Sequence, residues 1–268
     1  MMNNSPTRNV QQLFDLKDRT ALVTGGSRGL GLQMAHALGE AGARLVISSR
    51  TEADLNKAAE ELRAAGHDVT PIAANLASED DVTALADKAI ATLGHVDILV
   101  NNAGATWGAP AEDYPMDGWD KVMTLNVRNL FLLTREVAKK SMIPRQHGRV
   151  INIASNAAIG GNRDLMTAIG YNTSKGAVVT FTRALAAEWG VHGITVNAIG
   201  PGYFPSKMSK GLRDKHGEEG LVRNVPLRQT GDDEALKGAT VMFASDASKH
   251  TTGQVLYIDG GCSAMICG

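Results

Sequence analysis

Cysteine is scarce. Cys262 and Cys267 are the only two in 268 residues and both lie near the C-terminus, so neither a disulfide framework nor a four-cysteine metal site can be built. A reducing cytoplasm fits that usage. Excess charge of either sign is also missing: 27 Lys and Arg stand against 28 Asp and Glu, a formal net charge of −1. Nucleic acid and membrane surfaces, which call for a basic field, are thereby disfavoured as partners. No apolar run approaches a membrane span, and residues 1–12 are polar, without the apolar centre of a secretion signal. The seven histidines, among them His36, His67 and His95, are scattered without ligand spacing, so no metal site is expected. There is no repeat, linker or low-complexity segment. The length predicts one domain over 16–268, preceded by an arm, 1–15, that shows no clear period.

What the chain does have is alternation. An apolar run, Thr20-Ala21-Leu22-Val23, leads into a glycine-rich turn, a helical pattern to residue 41 and a second apolar run over 44–49. Strand, turn, helix, strand is a βαβ unit. The pattern continues with a helix over 51–65, a strand over 69–73 and a helix behind Ser78-Glu79-Asp80-Asp81, whose spacing predicts a capping box. A strand over 96–100 runs into Asn101-Asn102-Ala103-Gly104, and a helix follows over 119–140. Further strands are predicted at 149–153, 194–199 and 255–258, with helices ending at 189 and spanning 232–244, and an irregular region over 200–230. Strands apolar along their whole length, separated by helices, predict an α/β fold whose parallel sheet is covered on both faces.

Two helices are apolar on more than one side. One carries Val122, Met123, Leu125, Val127, Leu130, Phe131, Leu132, Leu133 and Val137; the other carries Val178, Val179, Phe181, Leu185 and Trp189. Such helices must be covered all round, either between sheet and loops or against a second subunit.

The turn reads Thr24-Gly25-Gly26-Ser27-Arg28-Gly29-Leu30-Gly31. Glycines also punctuate ordinary turns. Placed between a first strand and a first helix, however, Gly25, Gly29 and Gly31 permit the tight turn, the close backbone approach to a phosphate and the close helix packing of a dinucleotide site. The second strand ends in Ser48-Ser49-Arg50, without the acidic residue that would accept from an NAD ribose. Arg28 and Arg50 instead offer guanidinium groups to a 2′-phosphate, which predicts NADP(H) over NAD(H).

Tyr171 and Lys175 stand four apart at the start of a helical pattern and therefore share a face. Alone, that spacing more often marks ordinary helix neighbours. If the pair is buried, the ammonium is expected to lower the phenol's pKa and make it a usable proton donor.

With these pieces in order, the sequence resembles a classical short-chain dehydrogenase/reductase from about residue 16 to 261. The resemblance rests on the glycine turn, Asn101-Asn102-Ala103-Gly104, Asn126, Ser155, Tyr171 with Lys175, and Pro201-Gly202. It implies a single-domain Rossmann fold with seven strands in the order 3-2-1-4-5-6-7, and homo-tetramers or dimers packed through helices. It implies that Ser155 hydrogen-bonds a substrate carbonyl, Tyr171 protonates it, Lys175 holds the nicotinamide ribose, and Asn126 supports a water that replaces the proton. Asn102, Ala103 and Gly104 would line the adenosine side, and Pro201, Gly202 and Ser206 would close over the nicotinamide. Asn75, beside Leu76, replaces the family's usual aspartate at the adenine. The run from Ser155 to Tyr171 is longer than usual through Gly160, Gly161, Asn162, Arg163 and Asp164.

Around the expected carbonyl stand Trp107, Met166, Ile169, Tyr203, Phe204, Met208 and Leu212, either an apolar cleft or packing for the loops. Residues 101–108, 114–119 and 201–208 are similar to 3-oxoacyl reductases of the rhamnolipid-synthesis type. The expected activity is therefore NADPH-dependent reduction of a 3-oxoacyl thioester or related hydrophobic ketone. The alternatives are a polyol, gluconate-type or hydroxysteroid dehydrogenase, or a non-catalytic dinucleotide-binding sensor or scaffold, in which Tyr171 or Lys175 would be expected to be lost.

Overall fold

The apolar runs become seven strands of one parallel sheet in the computed structural model, which describes residues 7–161, 165–206 and 209–265. A short helix, α1 (Val10–Phe14), comes first. Its Asn9 side chain takes the N–H of Gln12 while Gln12 reaches back to the N–H of Asn9, a reciprocal cap that orders a segment without apolar period.

Strand β1 (Thr20–Thr24) is followed by α2 (Gly29–Glu40), β2 (Arg44–Ser49), α3 (Glu52–Ala64), β3 (Val69–Ala73), α4 (Glu79–Leu93) and β4 (Ile98–Asn101). Then come α5 (Met116–Met123), α6 (Asn129–Val137), α7 (Ile143–Arg145), β5 (Gly148–Ile153), α8 (Ile169–Trp189), β6 (Ile194–Pro201), α9 (Lys210–Val222), α10 (Lys237–Ala244) and β7 (Val255–Ile258). The strand order is 3-2-1-4-5-6-7, as expected. Direction reverses between β1 and β4, which opens a crevice at the carboxyl ends of the strands.

Alternation along each strand divides the core. Val23, Ile47, Val100, Ile151 and Ile199 face α2, α3 and α10, where Met34, Leu38, Leu55 and Phe243 meet them. Leu22, Val46, Leu99, Val150 and Val196 face the opposite side, where Leu85, Leu133 and Leu185 of α4, α6 and α8 pack. Phe131 on α6 stays 43% exposed and rests edge-on against Phe181 of α8. Among the described residues no helix is long and apolar enough to cross a membrane.

Several expectations need correction. The helix predicted over 119–140 begins at Met116 and is interrupted by two π-helical turns, Thr124–Arg128 and Ala138–Met142. The supposedly irregular 200–230 contains α9, whose few apolar positions give no clear period and whose Gly217 breaks the helix at φ +67. The helix predicted from 232 starts at Lys237, because Asp232 accepts from the N–H groups of Glu234 and Ala235 and holds a turn. Ser78 caps α4, but the returning half of the predicted box is missing: the Asp81 carboxylate accepts from Asn75 N–H instead. The histidines are not all scattered either, since His36 and His67 meet with Nδ1 and Nε2 3.3 Å apart.

The amino ends of β1, β4 and β5 are tied by charge. Burial alone would raise Asp97, but Arg145 at 2.7 Å and the N–H of Thr20 bring its pKa below the usual carboxylate range. Asp246 likewise joins Arg8 at 2.8 Å to Arg149 at 3.0 Å. His147 sits among these arginines, and burial, then Arg149 and Arg19, push its pKa down to about 4. Arg19 Nη1 lies 2.9 Å from His147 Nε2 and can only donate, so the ring is neutral with its proton on Nδ1. The unfolded chain takes up this proton near pH 6.5 and the folded chain only near 4, so stability falls as pH drops through that window. The slope from this one group approaches about 1.4 kcal/mol per pH unit. Urea unfolding of His147→Gln between pH 7 and 4.5 is expected to show a flatter pH dependence than the parent; an unchanged slope would discard the assignment.

Candidate active site

The site begins where β1 stops. Gly25 and Gly29 adopt left-handed φ values of +64 and +52, which a side chain would resist. A β-carbon at Gly31 would overlap the Gly25 carbonyl oxygen and stand 2.5 Å from the Asn102 amide nitrogen. Arg28, at the N-cap of α2, makes no side-chain capping bond, so the first N–H groups of the helix are left to a ligand at its positive end. Ser27 and Leu30 flank this opening, with Leu30 packed onto the core.

β4 locks the turn. Thr24 Oγ1 accepts from the N–H groups of Asn102 and Ala103 at 3.0 and 3.1 Å, and Asn102 Nδ2 donates to the carbonyls of Thr24 and Gly25. The Asn102 side chain therefore holds the turn. A β-carbon on Gly104 would stand 3.2 Å from Asn126 Oδ1 and 3.8 Å from Lys175 Nζ. That glycine joins the turn to the polar cluster behind it.

The cluster depends on the π-helical turn Thr124–Arg128. Widening the helix there turns Asn126 inward, where both backbone groups of Ala105 bond its amide, at 2.8 and 2.9 Å, and Ser174 Oγ accepts at 2.9 Å. Lys175, 5% exposed, donates to the Ile153 carbonyl at the end of β5 at 2.6 Å. Burial pushes its pKa down to about 8.

Tyr171 corrects an expectation. Its pKa is raised, not lowered: burial acts upward, and the hydrogen bond with Ser155 opposes it only in part. Lys175 Nζ lies over the phenol ring, 5.6 Å from its centroid, and donates to the Ile153 carbonyl. Ser155 Oγ also accepts from Ala157 N–H at 3.1 Å, which fixes it at the head of a 3-10 turn. Ser155, Tyr171, Lys175 and Asn126 are thus one group, assembled from β5, α8 and the π turn.

The outer positions are less uniform. Arg28 is tied to Asp54 at 3.1 Å, whereas Arg50 is exposed and has no ion pair among the described residues. Asn75 spends its amide oxygen on Ala77 N–H, closing a local turn, and the Leu76 carbonyl accepts from Asn129. Pro201 is buried, and Gly202 meets β7, where a β-carbon would stand 2.6 Å from Asp259 Cα. Ser206 pairs with Ser209.

Ala109 N donates to Thr167 O, which brings the loop holding Trp107 beside Met166 and Ile169. Tyr203 is half-buried nearby in sequence, but Phe204 is a core residue packed against Gly231, not a pocket wall. Met208 and residues 162–164 lie outside the described residues. Thr24, Ala105 and Ser174 were missed by sequence reasoning. For Ser174 the only available signal was a hydroxyl beside Lys175 on the inner helix face.

The profile of the short chain dehydrogenase family matches residues 19–217. This chain belongs to that family. Gluconate 5-dehydrogenase of Gluconobacter oxydans is 35% identical over 255 residues, covering 95% of this chain and 98% of that protein. The rhamnolipids biosynthesis 3-oxoacyl-[acyl-carrier-protein] reductase of Pseudomonas aeruginosa is 39% identical over 252 residues, covering 92% and 97%. A crystal structure of a gluconate 5-dehydrogenase from Burkholderia cenocepacia in complex with NADP and tartrate superposes with a TM-score of 0.90 at 35% identity, covering 96% and 100%. The chain is an oxidoreductase of the short-chain type.

Because Gly31 has backbone above it, Gly31→Ala in this dehydrogenase is expected to cost about 3 kcal/mol or more, since a carbonyl cannot rotate away as a side chain can. For a chain of this length the loss corresponds to a Tm drop of at least about 6 °C. An unchanged Tm would mean the turn is looser than described.

Proposed function

We propose that this dehydrogenase interconverts a ketone and a secondary alcohol with NADP(H), and that its preferred substrate is a 3-oxoacyl thioester or related hydrophobic ketone. The carrying observation is the convergence of Ser155, Tyr171 and Lys175 at the carboxyl end of β5, behind the open N-terminus of α2. The left-handed glycines and uncapped helix start suit a pyrophosphate, and the exposed Arg50, without an ion pair among the described residues, suits a 2′-phosphate. The Burkholderia cenocepacia relative holds NADP in the same fold.

Bound there, NADPH supplies the hydride. The protein supplies the rest. Ser155 donates to the carbonyl oxygen, and Tyr171 gives that oxygen its proton as negative charge develops. A phenol held above its ordinary pKa of 10 is fully protonated at neutral pH, the state that reduction requires. Lys175, an ammonium below pH 8, holds the ribose hydroxyls and stabilises the phenolate left behind. Asn126 acts as a positioning residue, fixing Ala105 against α8.

The hydrophobic substrate is favoured by Ile159, 55% exposed, and Ile169, 46% exposed, which lie in the chain between Ser155 and Tyr171. A sugar acid is the second reading, favoured by the 35% identity to gluconate 5-dehydrogenase across nearly the whole chain.

Following NADPH and NADH oxidation with acetoacetyl-CoA and with 5-ketogluconate separates these readings. Turnover of the thioester with NADPH preferred is expected; turnover of 5-ketogluconate alone would replace the substrate assignment, and preference for NADH would remove the role of Arg50. Tyr171→Phe is expected to retain NADPH affinity while kcat falls by about 10²- to 10⁴-fold. Retained turnover would show that another group is the acid.

A further inference from the structure

We propose that His36, Glu40 and His67 form a binding site for a divalent transition-metal ion of the zinc class. Their candidate ligand atoms all lie within 4.8 Å of one another. His36 and Glu40 share a face of α2 at i and i+4, and His67 arrives from the turn between α3 and β3. These elements meet at the amino ends of β2 and β3, the end of the sheet opposite Ser155 and Tyr171.

The 3.3 Å between His36 Nδ1 and His67 Nε2 is the separation of two nitrogens held tetrahedrally at about 2.0–2.1 Å from zinc. On the far side of its ring, His36 Nε2 stands 3.2 Å from the Glu61 carboxylate. A carboxylate can only accept, so it fixes the proton on Nε2 and turns the Nδ1 lone pair toward His67. This is the outer-sphere arrangement that orients and strengthens metal-bound histidines. Glu40 adds a hard oxygen, and its exposure leaves the remaining coordination positions to water.

His67 has room only because position 39 is glycine. A β-carbon there would stand 2.6 Å from His67 Cγ and 2.9 Å from Nδ1. Glycine within a helix costs about 1 kcal/mol relative to alanine, and here that cost admits an imidazole to the group. One cation opposes the ion: Lys237 Nζ lies 2.6 Å from Glu40 Oε1. Its side chain is flexible and partly exposed, and it competes for Glu40.

Titration calorimetry of tag-free, chelator-stripped full-length chain with Zn²⁺ tests the site. One ion per chain is expected. His67→Gln is expected to weaken binding by at least the ~10- to 100-fold that loss of an outer-sphere partner costs, and Lys237→Gln is expected to tighten it by freeing Glu40. Circular dichroism reports whether the variants fold, and Glu40→Gln replaces His67→Gln if that variant does not. Zn²⁺ affinity equal in parent and ligand variant, or no binding to the parent, overturns the proposal.

Discussion

A buried ammonium organises the reactive end of this molecule. Lys175 is placed where charge is disfavoured strongly enough to bring its pKa to about 8, and the Ile153 carbonyl at 2.6 Å is what makes the position tolerable. That bond fastens the first turns of α8 to the end of β5. Once it is made, Tyr171, one helical turn earlier on the same face, has little freedom, and Ser155, two residues beyond Ile153, is brought to the phenol. Burial then acts oppositely on the two ionisable groups, raising the phenol and lowering the ammonium, because each disfavours its charged form there.

The same economy holds for the polar groups around the lysine. Asn126 satisfies Ala105 and Ser174, Thr24 satisfies Asn102 and Ala103, and Asn102 satisfies the glycine turn. Behind them, Asn101 Nδ2 bonds both Thr134 and Asn152, and Asn152 bonds Thr182. Each of these amides and hydroxyls is paired with a neighbour from another element, so the network fixes relative placement that apolar packing alone leaves loose. The opposite end of the sheet uses ion pairs about Asp97 and Asp246 for the same purpose, without a reactive group among them.

The sheet was legible in the sequence because a strand covered on both faces is apolar through its middle, as Ala21-Leu22-Val23, Leu45-Val46-Ile47 and Ile98-Leu99-Val100 are. The reactive group was legible because its members sit at ends of elements, where spacing is rigid. The π turns were not, since inserting one residue into a helix leaves no trace in apolar period, yet the first of them is what turns Asn126 inward. Nor could the period separate the two uses of an asparagine: Asn75 accepts within its own turn, whereas Asn102 donates to Thr24 across the sheet. The meeting of His36 with His67 spans 31 residues and depends on two crossing elements, so spacing along the chain could not reveal it. The sign of the Tyr171 shift escaped for a similar reason: spacing places Lys175 beside the ring, but only the fold shows the burial that raises the phenol.

Chemistry and selectivity are therefore carried by different kinds of structure in this dehydrogenase. The reacting groups stand on β5 and α8, locked from two sides by buried hydrogen bonds. The segments that follow β4 and β5 are loops, with Trp107 between β4 and α5 and Ile159 between β5 and α8. Trp107 is itself held, its ring against Gly118 and under Lys121 Nζ at 5.1 Å, whereas Ile159 stands 55% exposed to water. Exposed aliphatic surface beside a polar catalytic group favours a substrate that covers it, since each buried methylene contributes about 0.8 kcal/mol. One fold can carry different substrates, and relatives similar to this chain over nearly its whole length carry names for two of them.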